Sequence, residues 1–541
     1  MNPESPGELV EDSRTEVERS ASVARENATS LDGESRPPNE LIDITPRALI
    51  EYQELDMDRV VVDPKWALKI PASLALRKQV MPVCKIRDHV LVACEDIEDA
   101  TARQQLNRIL DCELRLLSAE PTSLRASIKR VYGGLSNGTA KPRSPGRDAQ
   151  LIESEDAVAV CEELLQAAAM RGASDIHLSP NETALVARMR VDGKLETYSQ
   201  IPSQLKGAVV SRLKVMSGLD IAEKRAPQDG RFTARIGADQ AKIDIRVATL
   251  PTRFGERVTL RLLGGQSNAI SLTNLGMNER DLGLFRRTIG RPHGLVLLTG
   301  PTGSGKSTTL YAAIEELLQS RGGNVITVED PIEYEMPDVS QVEIDSADKV
   351  SFAKALRSIL RHDPDVVMIG EIRDLETAEI AVKASLTGHL VFSTLHTNTA
   401  SGVVTRLTDM GLQPYLIAAT LRLAVAQRLV RRLCSACRRP RPLVEQEAAL
   451  LGRPELTGQT VYDPEGCVYC AGHGYIGRIA LIECFDCDES VAKLITQGAS
   501  EETLLANARQ RNRPLLMDDA IDKMTAGATT YQEVLEAVVV W

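Results

Sequence analysis

The 541-residue chain has no apolar run near the roughly 20 residues that a membrane-spanning helix requires. Its first residues, "MNPESPGELVEDSR", lack a basic start followed by an apolar core. The expected protein therefore has neither a span nor a signal segment and works in the cytoplasm. Ten cysteines in so long a chain exclude a disulfide-stapled scaffold, although four of them have metal-ligand spacing. A net charge of -11 argues against a surface that wraps nucleic acid, leaving a local basic pore as the route to such a partner. There is no repeat of solenoid length. Nothing matches the Asn-Lys-x-Asp element that reads guanine in many GTPases, so a bound purine nucleotide is expected to be ATP.

At 43% hydrophobic residues the chain can bury more than one core, and roughly three or four domains are expected. Residues 1–44 are acidic, poor in apolar side chains and broken by "RPP", which predicts a disordered leader. Residues 45–132 read as a small α/β module. In it "VMPVCKI" and "HVLVAC" form two strands joined at Arg87 and Asp88, and "ATARQQLNRIL" has helical spacing. Residues 133–150 are rich in Gly, Pro and Ser and predict a flexible linker.

A second α/β module is expected over 151–264. It opens on the helical stretch "DAVAVCEELLQAAAMRGA", and Asp192-Gly193 supplies the positive φ of a tight hairpin. Alternation puts Ala187, Met189 and Val191 on one strand face and Arg188 and Arg190 on the other. In the same way Ile243, Ile245 and Val247 oppose Arg246, while Val258, Leu260 and Leu262 oppose Arg261. On spacing alone these arginines are equally well a solvated sheet face.

The last region, 265–541, carries the strongest motif. The apolar run "LVLLTG" leads into Gly300-Pro301-Thr302-Gly303-Ser304-Gly305-Lys306-Ser307-Thr308, and the helix-forming "LYAAIEELLQ" follows. The glycines let successive N–H groups point at phosphate oxygens, and the helix N-terminus adds partial positive charge. Lys306 can then reach the β and γ phosphates and the Ser307 hydroxyl can ligate Mg2+. Downstream, a strand at residues 324–328 ends in Glu329, Asp330 and Glu333, placed to orient water, to hold magnesium or merely to cap a turn at Pro331. In "DPDVVMIGEIRD" the next strand ends at Gly370 and Glu371, where a phosphate-binding ATPase usually has aspartate for magnesium. His389 and His396 bracket a further strand as candidate phosphate sensors or structural groups.

Cys434 and Cys437, with Cys467 and Cys470, make two C-x-x-C pairs that can close a tetrahedral thiolate site, the pattern of structural zinc. A redox pair is the alternative, without a thioredoxin-like βαβ unit nearby. Cys484 and Cys487 follow a strand-like run on which residues three apart face opposite ways, so they are not counted as ligands.

The order of these motifs resembles the secretion ATPases that power type II secretion and type IV pilus assembly. The resemblance is carried by "ASDIHL", "RMRVDGKL", "DIAEKRAPQDGRF", "TLPTRFGERVTLRLL", "GPTGSGKSTTLY", "VEDPIEY", "GEIRDLETAEIAVKASLTGHLVFSTLHTN" and "AQRLVRRLCSAC". It implies an α/β protein with a RecA-like P-loop ATPase domain and a zinc-binding subdomain at 425–485. A PAS-like α/β domain and a small N-terminal docking domain would precede them. It further implies a homohexamer using ATP, Mg2+ and Zn2+, with no nucleic acid. The partner would be the cytoplasmic domain of an inner-membrane secretion platform or linker protein, through which alone the chain meets the membrane. By motif match Glu333 polarises the attacking water, Glu371 is the glutamate of the second phosphate-loop strand, and His396 lies near the nucleotide. Arg246 and Arg261 reach the phosphates from the preceding domain, with a hinge near "GGQSNAISL". The wording favours the type II secretion branch, with a pilus-assembly ATPase as the alternative. A nucleic-acid translocase and a non-hydrolysing scaffold are the readings from other classes.

Overall fold

The computed structural model describes residues 54–132, 149–236, 241–263, 271–344 and 351–539. The expected leader, all but the last two residues of the expected linker, and the hinge up to residue 270 lie outside them. Among the described residues no helix is long and apolar enough to cross a membrane.

The first sheet is built from β1 (Val80–Ile86), β2 (His89–Cys94) and β3 (Glu113–Ser118), in that order. β1 and β2 pair antiparallel around Arg87, whose φ of 54° makes the tight turn, while β2 and β3 run parallel. A parallel pair needs a crossover, and the helix Ala100–Leu110 supplies it. Asp99 starts that helix by accepting from the N–H groups of Thr101 and Ala102.

The second sheet has six antiparallel strands in the order β6-β5-β4-β9-β8-β7. They are β4 (Asp175–Pro180), β5 (Ala184–Val191), β6 (Lys194–Pro202), β7 (Gln228–Ile236), β8 (Ala241–Thr252) and β9 (Gly255–Leu263). The β5–β6 turn is Asp192-Gly193, with φ of 47° and 85°. One face buries Ile176, Met189, Ile245, Val247 and Leu260 in a core shared with the helices Ala149–Met170 and Lys206–Met216. The alternation that fills this core forces Arg246 and Arg261 onto the opposite face, directly across from each other on β8 and β9.

The third sheet has seven strands in the order β12-β11-β13-β14-β10-β15-β18. They are β10 (Gly294–Thr299), β11 (Val325–Glu329), β12 (Ser340–Glu343), β13 (Val366–Ile369), β14 (Leu390–Leu395), β15 (Leu421–Leu433) and β18 (Tyr475–Asp486). Six strands run parallel, and β18 closes one edge antiparallel. Every residue of β10 is buried because helices cover both faces. Burying Leu295, Val296, Leu297 and Leu298 stabilises this strand by about 1.5–3 kcal/mol each. The strand that carries the phosphate loop is thus held firmly in the middle of the sheet. Between β15 and β18 the chain leaves the sheet to form a small lobe around the hairpin β16 (Arg439–Pro442) and β17 (Thr460–Asp463). The expected zinc element at 425–485 therefore has strands of the main sheet at both its ends.

Candidate phosphate site and four-cysteine centre

The buried strand β10 ends at Thr299, and the helix Lys306–Arg321 begins after the six residues of the loop. Gly300, Gly303 and Gly305 have φ of 145°, 78° and 87°, values that side-chain-bearing residues rarely adopt. A Cβ at Gly300 would sit 2.4 Å from the Gln427 carbonyl oxygen, so only glycine fits there. The loop is braced from β15: Gln427 Nε2 donates to Ser304 O at 2.8 Å, and its Oε1 accepts from Thr309 Oγ1 at 2.9 Å. Pro301, Thr302 and Gly303 form the exposed crest, and Ser307 and Thr308 stand half-buried in the first helical turn. Lys306 Nζ donates to the carbonyls of Gly300 at 2.8 Å and Pro301 at 3.1 Å, so it lies along the loop. Burial lowers its pKa, against the raising influence of Glu371. The Ser304 hydroxyl is buried without a hydrogen-bond partner. An orphaned donor beside a curled loop at a helix N-terminus fits phosphate oxygens.

The acids at the strand ends divide into different kinds. Glu329 is 3% exposed and fully engaged: it accepts from Thr327 Oγ1 at 2.7 Å and Gln341 Nε2 at 3.1 Å, and bonds the Tyr311 hydroxyl. It ties the phosphate-loop helix to β11 and β12 and is not free to handle water. Glu333 reaches solvent at the cleft, and desolvation raises its pKa while the charges of Arg261 and Arg246 pull it down. Glu371 lies in the crevice at the end of β13, paired with Arg373 and 3.4 Å from His396 Nε2. Gly370 before it has a physical reason. A Cβ there would lie 3.3 Å from the Val328 carbonyl oxygen, and Gly370 O accepts from Thr394 Oγ1 at 2.7 Å. The strand end is wedged between its neighbours, and the carboxylate comes one residue later.

The two histidines separate. His396 follows β14 at the nucleotide end, and its neighbour Thr397 is hydrogen-bonded to Thr299 at 2.7 Å. His389 stands at the opposite end of β14, bonded through Nδ1 to Ala384 O at 2.9 Å, and is a structural group. Arg246 Nη2 meets Glu343 Oε1 at 3.0 Å, and Arg261 Nε meets Asp175 Oδ1 at 3.0 Å. The sequence reading missed Gln427 and Arg373. Gln427 did leave a signal, as an amide that with Arg428 interrupts the apolar residues of "LAVAQRLV"; Arg373 left none beyond its place two residues after Glu371.

Cys434, Cys437, Cys467 and Cys470 are all buried, with their sulfurs within 4.8 Å of one another. The pairs 434–467, 437–470 and 467–470 are each 3.8 Å apart. Four thiolates at about 2.3 Å from one tetrahedral zinc would be separated by about 3.8 Å. Backbone N–H groups of Cys467 and Gly474 donate to Cys470 Sγ, each at 3.1 Å, and that of Gly466 to Cys437 Sγ at 3.3 Å. Such donors favour thiolates, so the centre fits a closed metal site. Cys484 and Cys487 are buried in two different cores, on opposite faces of the sheet.

The sequence matches the family described as type II/IV secretion system protein over residues 151–536, and the MshEN domain family over residues 48–138. It is 42% identical over 484 residues to type II secretion system protein E of Pseudomonas aeruginosa, covering 86% of this chain and 95% of that protein. It is 39% identical over 492 residues to the type IV pilus assembly ATPase PilB of Myxococcus xanthus, covering 88% and 87%. The fold is similar to the X-ray structure of the ATPase DotB of Legionella pneumophila, with a TM-score of 0.52 at 23% identity, covering 73% of this chain and 96% of that one. Taken with the phosphate loop, a match of this extent means that the chain belongs to the type II/IV secretion system protein family.

Proposed function

We propose that this chain is the ATPase that drives pseudopilus assembly and protein export in a type II secretion system. It would act as a cytoplasmic homohexamer that reaches the inner membrane through a platform or linker protein. The observation that carries this reading is the similarity to type II secretion system protein E over nearly the whole of both chains. As a family member with an intact phosphate loop, the chain is a P-loop ATPase. In the proposed division residues 45–132 dock the partner, 151–264 bring the arginines, and 265–541 bind and hydrolyse ATP.

In this mechanism the N–H groups of residues 300–308 and the Lys306 ammonium hold the phosphates, and the Ser304 hydroxyl gains the partner it lacks. Ser307 is the protein ligand offered to Mg2+, which would neutralise charge on the β and γ phosphates. Glu333 takes a proton from the water that attacks the γ phosphorus, and the bond to the β-phosphate oxygen breaks to release ADP. Glu371 would help hold Mg2+, and His396, 3.4 Å from that carboxylate, faces the γ phosphate. Arg246 and Arg261 stabilise charge on the transferred group, a role worth about 10³–10⁵ in rate. The four cysteines hold Zn2+ as a structural ion. Pilus assembly is the second reading, favoured by the relative PilB.

Deleting the gene and complementing it with the wild type or with Lys306→Ala tests the proposal. Export of secreted enzymes should be lost and restored only by the wild type. Loss of surface pili with export intact would favour the second reading, and no phosphate release from MgATP would refute both.

A further inference from the structure

The outer face of the six-stranded sheet carries one row of charge. Register sets Arg231 opposite Arg246, Arg246 opposite Arg261, Arg261 opposite Asp175, and Asp175 opposite Arg190. Asp175 is the one acid in this row, and it is 6% exposed. The side chains of Arg246 and Arg261 are 40% and 62% exposed. A buried carboxylate must be satisfied, and this one is. Oδ1 accepts from Arg261 Nε at 3.0 Å, Oδ2 accepts from Ser174 Oγ at 2.8 Å, and Arg190 Nε stands 3.7 Å from Oδ2.

The atom used on Arg261 matters. A bond through Nε grips the guanidinium at its root and directs its terminal nitrogens beyond the carboxylate. Arg246, by contrast, has a terminal nitrogen engaged with Glu343. A long, exposed arginine samples many rotamers, and restraint at Nε removes that freedom before a substrate arrives.

We propose that Asp175 is a positioning residue for Arg261, fixing its guanidinium so that the terminal nitrogens are presented to the γ phosphate. This rests on the reading of Arg261 as a phosphate arginine. Asp175 touches no reacting atom, and it acts only through that side chain.

The test uses the full-length protein with MgATP and measures steady-state phosphate release together with binding of a fluorescent ATP analogue. Asp175→Ala should lower kcat by about ten- to a hundredfold, as misplacement of a reacting group does, with nucleotide affinity unchanged within about twofold. Asp175→Asn keeps an acceptor for Nε–H and should recover to within about threefold of the wild type. Adding Asp175→Ala to Arg261→Ala should cost nothing further, because the residue to be positioned is gone. The inference is overturned if Asp175→Ala turns over normally while Arg261→Ala does not, if the two losses multiply, or if Asp175→Asn fails to restore turnover in a protein that melts like the wild type. Normal turnover in Arg261→Ala would instead overturn the phosphate-arginine reading itself, and this inference with it.

Discussion

Glu333→Gln separates water activation from metal positioning. Among the described residues no hydrogen bond or ion pair engages the Glu333 carboxylate; only its backbone N–H donates, to the Tyr311 hydroxyl at 3.3 Å. The substitution keeps the side-chain shape, breaks no contact and removes one negative charge beside Arg261 and Arg246. The melting temperature should therefore stay put, and MgATP should bind as well as before or slightly tighter, because an anion no longer faces the phosphates. Loss of a general base costs roughly 10²- to 10⁴-fold in kcat, about 3–5 kcal/mol of barrier. Glu371→Gln is different, since that carboxylate sits between Arg373 and His396 and supports the charge on Lys306. It should raise the Mg2+ concentration needed for half-maximal rate and lower kcat by less than Glu333→Gln does. Phosphate release across a Mg2+ titration, with nucleotide binding measured separately, decides the assignment. If Glu333→Gln keeps more than about a tenth of wild-type turnover while Glu371→Gln is inert, the roles are reversed and the argument from the free carboxylate is wrong.

Arg246→Ala and Arg261→Ala should each bind ATP normally and lose most turnover, about 10³-fold or more; near-normal phosphate release in both would return these arginines to a solvated sheet face. With Glu333 as the proposed base, the acid limb of the kcat/KM profile should lie above the ordinary glutamate range, because a general base must be ionised and desolvation raises the Glu333 pKa. Arg261→Gln removes a charge that favours the carboxylate, so the limb of its residual activity should move to higher pH; a downward shift would contradict this sign. Metal analysis should find one zinc per chain, lost in Cys470→Ser and kept in Cys484→Ser. Chelation should lower the melting temperature, since a structural zinc contributes on the order of 10 kcal/mol to ordering its lobe; two metals per chain would refute the assignment. Gln427→Leu strands Ser304 O, while Thr309 Oγ1 keeps Gly305 O as an acceptor, and should destabilise by about 1–3 kcal/mol while raising the KM for ATP; an unchanged KM would mean the brace does not hold the loop.

Local features were legible in the sequence, and features made by long-range pairing were not. The strand, loop and helix around Gly300 and Lys306 follow from neighbours in the chain, as does the Asp192-Gly193 turn. The outward direction of Arg246 and Arg261 follows from strand period alone. Alternation cannot say which strand lies alongside, so Asp175, 86 positions from Arg261, was visible only as part of "ASDIHL". Only the family resemblance told Glu329 from Glu333 in the sequence; Tyr311 and Gln341 make the first structural, and among the described residues nothing comparable binds the second carboxylate. His389 and His396 flank one strand symmetrically in sequence, but a parallel sheet has a nucleotide end and a far end. Beyond the motif match for His396, it is the sense of the strands that separates them.

The two arginine contacts also bear on how readily the site could engage ATP. The Arg246–Glu343 pair is 40% exposed on both sides and joins the arginine-bearing sheet to the edge strand of the ATPase sheet. Exposed pairs of this kind stabilise by about 0–1 kcal/mol, so exchanging Glu343 for a phosphate oxygen would cost little. The Arg261–Asp175 contact rests on a buried carboxylate, and breaking it would leave that charge short of a partner. It need not break, because it uses Nε. One arginine is thus held by a contact it can give up, and the other by a contact it can keep while binding phosphate. Reversing the sign at Glu343 tests this division: Glu343→Lys removes the competing acid and repels Arg246 from the sheet edge. It should change the KM for ATP and leave an Asp175→Ala effect intact, whereas loss of the Asp175→Ala effect in that background would mean the two arginines act as one unit.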